Sequence, residues 1–221
     1  MIVDERIITF INSLDTKNSE ILEDIEREAL ADNVPIIRRE MQSFLKVLLM
    51  VKKPMRVLEV GTAVGFSALL MSEYVPEECA ITTIENYEKR IPIASQNFVR
   101  AGKEKKITLL EGDAMDVLKT LEGPYDFIFM DAAKGQYIHY LPEILRLLAK
   151  GGILVSDNVM QDGDVIESRF AVERRDRTIH ARMREYLYEL KHNDALVTSI
   201  IPLGDGVALS VKKEVGTDIA Q

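Results

Sequence analysis

Apolar positions along this chain change their period twice. Over the first fifty residues they recur at helical spacing. Ile7, Ile8, Ile11 and Leu14 predict a helix over 4–14, and a second runs over 18–32 with Asn18 or Ser19 as its cap. Asn33-Val34-Pro35 breaks it, and Met41, Phe44, Leu45, Leu48 and Leu49 form the stripe of a third helix over 38–51. From Met55 onward the pattern becomes short branched-apolar runs at 55–60, 80–85, 107–110, 125–130 and 153–156, each fitting a strand buried on both faces. Helical stretches separate them, at 67–74, 87–101, 114–121 and 137–149. Strands alternating with helices predict an α/β domain with a doubly wound, parallel sheet. After a long helix over 171–193 the period changes again. Runs at 195–203 and 207–211 flank Gly204-Asp205-Gly206, which predicts an antiparallel hairpin. The expectation is one domain over 1–221: a helical N-terminal cap (1–53) and a mostly parallel, seven-stranded core (54–212).

Two clusters of polar residues interrupt these runs where ligands bind, beyond the carboxyl ends of the strands. The first is Glu59, Gly61 and Gly65, followed by the strand-end acid Glu85. The spacing is Gly-x-x-x-Gly, which is neither the Gly-x-Gly-x-x-Gly of dehydrogenases nor a P-loop. An acid placed like Glu85 can accept hydrogen bonds from both hydroxyls of a ribose. An ordinary βα turn with a chance acid is the plainer alternative. The second cluster is Asp131, Lys134, Asp157 and Asn158, at the ends of two neighbouring runs. Two carboxylates and an amide oxygen suit an octahedral hard cation such as Mg²⁺, although Asp and Asn also cap helices and start turns.

Composition narrows the function classes. The chain has 221 residues, 47% hydrophobic and 29% charged, enough for a substantial core. No apolar run reaches the roughly 18 residues of a membrane span, and the first ten residues lack the features of a signal peptide. Cys79 is the only cysteine, which excludes an internal disulfide and fits a reducing cytoplasm. With only three histidines besides, zinc is disfavoured. The net charge of −8 argues against a general nucleic-acid surface. Yet six arginines against two acids give residues 169–184 a local charge of +4. Arg38, Arg39, Arg174 and Arg175 are candidate phosphate contacts, an ordinary solvated helix face being the alternative. Met41 is a candidate ligand contact or, more in keeping with its stripe, core.

The Glu-x-Gly-x-x-x-Gly turn with its strand-end acid resembles the signature of class I S-adenosylmethionine-dependent methyltransferases, whose Rossmann-like sheet also ends in an antiparallel hairpin strand. D-A-A-K-G-Q-Y at 131–137 and S-D-N-V at 156–159 resemble the metal-dependent O-methyltransferases of the catechol and caffeoyl-CoA type. That resemblance implies metal ligation by Asp131, Asp157 and Asn158, and a catalytic lysine at Lys134, with Asp131 beside it. It implies cofactor contacts at Met41, Glu59, Gly61, Ser67, Glu85, Asp113, Ala114 and Asp131. V-P-I at 34–36, E-x-G-T-A-x-G-x-S-A at 59–68 and I-P-x-G-D-G at 201–206 are further similar to bacterial tRNA 5-hydroxyuridine methyltransferases. The implied partner is then a tRNA anticodon loop, with a small-molecule catechol as the alternative acceptor. The implied cofactors are S-adenosylmethionine and Mg²⁺ or another divalent cation. A dinucleotide-binding oxidoreductase or non-catalytic nucleotide-binding module is the third reading. The missing Gly-x-Gly-x-x-Gly and the intact second cluster disfavour it. Apolar N-terminal helices add the expectation of a homodimer.

Overall fold

The computed structural model describes residues 2–214. Three helices lead: α1 (Glu5–Ser13), α2 (Glu20–Ala31) and α3 (Arg39–Lys52). Strand β1 (Arg56–Val60) opens an alternation of α4 (Phe66–Tyr74), β2 (Ala80–Glu85), α5 (Ile91–Arg100), β3 (Ile107–Glu111), α6 (Ala114–Thr120), β4 (Tyr125–Met130), α7 (Tyr137–Leu147) and β5 (Leu148–Ser156). Helix α8 (Arg177–His192) and strands β6 (Leu196–Ile201) and β7 (Val207–Lys212) follow. The seven strands form one sheet in the order β3-β2-β1-β4-β5-β7-β6. The first five are mutually parallel, and β7 runs antiparallel to both β5 and β6.

Side chains alternate across the sheet and build two apolar layers. Leu58, Val60, Ile128 and Met130 face α6, α7 and α8. Val57, Phe127 and Phe129 face the other way, against α2, α3, α4 and α5. Parity therefore puts Glu59 inside the second layer, where it is fully buried. The N-terminal cap belongs to that layer through Leu22, Ile25, Leu45 and Leu49. Polar ties reinforce it: Ser19 Oγ donates to Glu73 at 2.6 Å, and Lys46 Nζ to Asn18 Oδ1 at 2.6 Å. By contrast, α1 buries no residue, and its Ile7, Phe10, Ile11 and Leu14 are exposed. Among the described residues no helix is long and apolar enough to cross a membrane.

Three boundaries differ from the pattern-based expectation. Helix α8 begins at Arg177 rather than at 171, because residues 161–166 form a 3₁₀ turn in which Asp162 and Gly163 adopt positive φ, followed by irregular chain. Helix α5 begins at Ile91, with Pro92 in its first turn, a position that suits a residue lacking an N–H. Strand β5 begins at Leu148, not at Ile153. Leu148 already pairs with Tyr125, and Ile153 then pairs with Phe127, so the segment between them bulges, aided by Gly151 at φ +68°.

Candidate active site

A cleft of about 560 Å³ opens above the carboxyl ends of β1, β2, β4 and β5. It exists because the chain turns sharply at Gly61, whose φ is +104°. A Cβ there would stand 2.2 Å from the Asp131 carbonyl oxygen, so only glycine lets β1 end this close to β4. The lining includes Gly61, Ser67, Glu85, Ala114, Asp131, Lys134, Asp157 and Asn158. Residues 35–38 of the N-terminal cap close the far wall.

On one side, Glu85 is fixed by three backbone amides. Ala63 N donates to Oε2 at 2.8 Å, while Asn86 N and Tyr87 N donate to Oε1 at 2.9 and 2.8 Å. Asp113 behaves differently from the expectation. Its carboxylate caps α6 by accepting from Met115 N at 2.9 Å, and its neighbours Gly112 and Ala114 line the cleft instead. Met41 takes the core position that its stripe suggested. At 2% exposure it packs in the apolar layer with Leu22 and Leu45 and is absent from the cleft wall, because its helical stripe faces the sheet.

Glu59 lies beneath this end of the cleft. Burial pushes its carboxyl up to about 7. The Ser67 and Thr83 hydroxyls oppose the shift, although only Thr83 is placed to hydrogen-bond, and the charges of Asp131 and Glu85 add to it. The folded protein therefore binds this proton more tightly than the unfolded chain. The stability contributed by this proton is fully present below pH 4.5, falls as pH rises, and is gone above about 7. Glu59→Gln is expected to flatten that decline, with an upper value of roughly 3 kcal/mol gained at pH 8 and little at pH 4. Urea unfolding of the ligand-free protein at the two pH values reads it directly.

On the other side, Asp131 follows β4 and Asp157-Asn158 follows β5, adjacent strands whose ends lie side by side. Tyr137, fully buried, ties them together. Its hydroxyl donates to the Met130 carbonyl at 2.9 Å, with the Asp157 carbonyl at 3.3 Å, and accepts from Lys134 Nζ at 3.2 Å. Lys134 Nζ also donates to Asp131 Oδ1 at 2.6 Å. The Asp157 carboxyl is pushed up to about 7, chiefly by burial and next by the Asp131 charge. Asp157 Oδ1 accepts from Asn158 N at 2.7 Å and holds Asn158 at φ +55°, a backbone state that asparagine tolerates better than most residues.

This donor set fits a hard divalent cation. The Asp131 charge adds to the raised proton affinity of Asp157, an arrangement that positive charge between them would offset, and the amide of Asn158 adds a neutral oxygen. Among the described residues no three His, Cys, Asp or Glu side chains gather to hold a metal. A cation held by Asp131, Asp157 and Asn158 would need water or acceptor oxygens to complete its coordination.

The arginines are mostly committed to the fold. Arg177, Arg182 and Arg184 donate to the carbonyls of Val172, Gly135 and Val165 at 3.3, 3.1 and 2.9 Å. Arg175 pairs with Glu173 and Asp176, and Arg39 with Glu23 and Glu26. Residues 169–176 precede α8, so the arginines of 169–184 do not share one helix face. Arg38 does line the cleft, and Arg174 is exposed.

Several contributors escaped the sequence analysis. Arg90 and Tyr87 line the cleft beside Glu85. Asn97, buried on α5, donates to the Val64 carbonyl at 2.9 Å and braces the glycine turn. Arg100 fixes Asn97 Oδ1 at 3.0 Å and reaches Glu28 of α2 at 2.7 Å, linking cap and turn. No motif marks these residues. Only the polar positions on an otherwise apolar helix face hinted at Asn97.

With this geometry in hand, likeness to known proteins becomes decisive. A family model described as O-methyltransferase matches residues 12–213. The chain belongs to the O-methyltransferase family. It is 35% identical over 128 residues to a catechol O-methyltransferase of Niastella koreensis, covering 56% of this chain and 58% of that one. The chain thus spans a little over half the length of that relative. It is 33% identical over 183 residues to caffeoyl-CoA O-methyltransferase 2 of Populus trichocarpa, covering 75% of this chain and 70% of that one. The SAH-bound methyltransferase PaMTH1 of Podospora anserina superposes with a TM-score of 0.86 at 26% identity, covering 95% of each chain.

Proposed function

We propose that this O-methyltransferase moves a methyl group from S-adenosylmethionine to a hydroxyl that stands beside a second oxygen on its acceptor. The observation that carries this is the convergence of Asp131, Lys134, Asp157 and Asn158 on the cleft that also holds Glu85 and Ala114. The position of Glu85 at the end of β2 on the cleft wall supports a ribose contact, and the SAH bound in the Podospora relative supports a cofactor of this class. Asp131, Asp157 and Asn158 would hold Mg²⁺ or a similar divalent cation. Such an ion supplies a Lewis acid that chelates adjacent oxygens and favours the oxyanion. The protein's own work is positioning: the sulfonium methyl is already activated, and the acceptor oxygen must be held in line with it. The position of the Lys134 amine on the cleft wall beside Asp131 supports a role in taking the hydroxyl proton.

The acceptor put first is 5-hydroxyuridine at the wobble position of a tRNA anticodon loop. Its 5-hydroxyl and 4-carbonyl form the same five-membered chelate as a catechol, and Arg38 and Arg90 on the cleft wall with exposed Arg174 suit a phosphate backbone. A catechol-like small molecule is the second reading. It is favoured by the names of the relatives and by the commitment of Arg39, Arg175, Arg177, Arg182 and Arg184 to contacts within the protein. A second copy of the chain seated on the exposed stripe of α1 completes the reading.

The test is nucleoside mass spectrometry after incubation with S-adenosylmethionine, Mg²⁺ and tRNA carrying 5-hydroxyuridine, with a catechol in parallel. Formation of 5-methoxyuridine establishes the RNA acceptor. Methylated catechol without an RNA product moves the acceptor to small molecules, and no product from either overturns the vicinal-oxygen reading.

A further inference from the structure

Thr83 has no assigned role, yet it sits directly across from Glu59. The two are register partners on β2 and β1, and both are fully buried. The Thr83 hydroxyl donates to Glu59 Oε2. A hydroxyl has one proton, so Thr83 can then only accept from Thr62, whose hydroxyl lies within hydrogen-bonding reach. The result is a one-way chain, Thr62 to Thr83 to Glu59. It occupies one oxygen of the carboxylate and fixes its plane. The other oxygen, Oε1, is buried and has no hydrogen-bond partner among the described residues. Val60, Gly61, Thr62 and Ser67, next to it along the chain or above it, all line the cleft. A buried carboxylate oxygen without a donor is costly unless a ligand supplies one.

We propose that Thr83 is a positioning residue that presents Glu59 Oε1 to the ammonium group on the amino-acid end of the bound cofactor. This rests on the S-adenosylmethionine reading above. It adds to that reading a residue, outside the glycine turn, that governs recognition of one part of the cofactor. Without the Thr83 hydroxyl the carboxylate can rotate, and the charge-assisted hydrogen bond to the ammonium loses its geometry.

Thr83→Val tests it. The change is close to isosteric, and the Thr62 proton can turn to the Ile84 carbonyl at 3.3 Å, so no donor is stranded. Two ligands are titrated calorimetrically: S-adenosylhomocysteine, and 5′-methylthioadenosine, which lacks the amino-acid end. The variant is expected to bind S-adenosylhomocysteine roughly tenfold more weakly, with 5′-methylthioadenosine within about twofold of the wild type. Thr83→Ser, which restores the hydroxyl, is expected to recover most of the loss. In turnover, KM for S-adenosylmethionine should rise while kcat stays nearly constant. Equal weakening of both ligands would mark a packing defect and overturn the proposal, as would unchanged S-adenosylhomocysteine binding. If Thr83→Val does not fold, Thr83→Ala is read against the same two ligands. Failure of the wild type to bind S-adenosylhomocysteine overturns the cofactor reading and this inference together, whereas a wild type that binds and an indifferent variant overturn this inference alone.

Discussion

Asp157→Ala is expected to slow methyl transfer by about a thousandfold while leaving S-adenosylhomocysteine affinity within a few-fold of the wild type. The size follows from what the residue would hold. A Lewis-acidic cation is worth several kcal/mol to a developing oxyanion, and about 1.4 kcal/mol is a factor of ten in rate. The change removes more than one oxygen from the cleft wall. Asp157 Oδ1 also accepts from Asn158 N and keeps Asn158 at positive φ, so alanine frees the neighbouring amide oxygen too. Cofactor binding is spared because Glu85 and Ala114 belong to β2 and α6, and β2 is separated from β5 by two intervening strands. A second signature separates a functional residue from a structural one. The Asp157 carboxyl is pushed up to about 7, mainly by burial, so its charge costs stability in the ligand-free protein at neutral and higher pH. Asp157→Asn should therefore raise the unfolding free energy at pH 8 while abolishing turnover. Single-turnover methylation, calorimetric titration with S-adenosylhomocysteine and urea unfolding together read all three effects. Parallel loss of cofactor binding and stability would make Asp157 a structural strut.

How much of this was legible in the sequence depends on the kind of signal. The strands of the parallel sheet were, because branched-apolar runs ending in Glu85, Asp131 and Asp157 carry both the period and the stop. Tyr125–Met130 matches the observed β4 residue for residue. Boundaries set by tertiary contacts were not. Residues 171–176 have helical composition, but the chain there is held by Arg177 and by the His180 contact to the Glu167 carbonyl, which favour turns over a longer α8. Met41 and Asp113 illustrate the same limit at the site. Each lies within three residues of the cleft in sequence, and each side chain is claimed by a nearer partner, the apolar layer for Met41 and the α6 amide for Asp113. Several of the arginines are engaged within the protein for a related reason. Local charge density does not reveal carbonyls brought in from Gly135 or Val165, and a guanidinium with five donors will take them. Thr83 carried no motif signal, since a threonine inside a strand reads as ordinary packing, and Tyr137, although it closes D-A-A-K-G-Q-Y, was given no role of its own.

Lys134→Ala is the second large effect expected, a fall in kcat of roughly a hundredfold to a thousandfold, the range of a lost general base. Affinity for S-adenosylhomocysteine should stay within about twofold, since the Lys134 amine hydrogen-bonds to Asp131 and Tyr137 and not to the Glu85 end of the cleft. The structure also defines a competing explanation. The Lys134 ammonium donates to Asp131 Oδ1 at 2.6 Å, and a cation so placed can serve by neutralising Asp131 and orienting it, with no proton ever accepted. Proton acceptance requires a neutral amine, hence an Asp131 oxygen engaged elsewhere. Lys134→Arg distinguishes the two. Arginine keeps a positive charge within reach of Asp131 but is effectively always protonated and cannot act as a base. If Lys134 is the base, the arginine variant should be about as slow as the alanine variant in single-turnover assays. If its role is electrostatic, arginine should recover a large part of the rate. A drop in S-adenosylhomocysteine affinity matching the drop in kcat, in either variant, would remove Lys134 from the chemical step altogether.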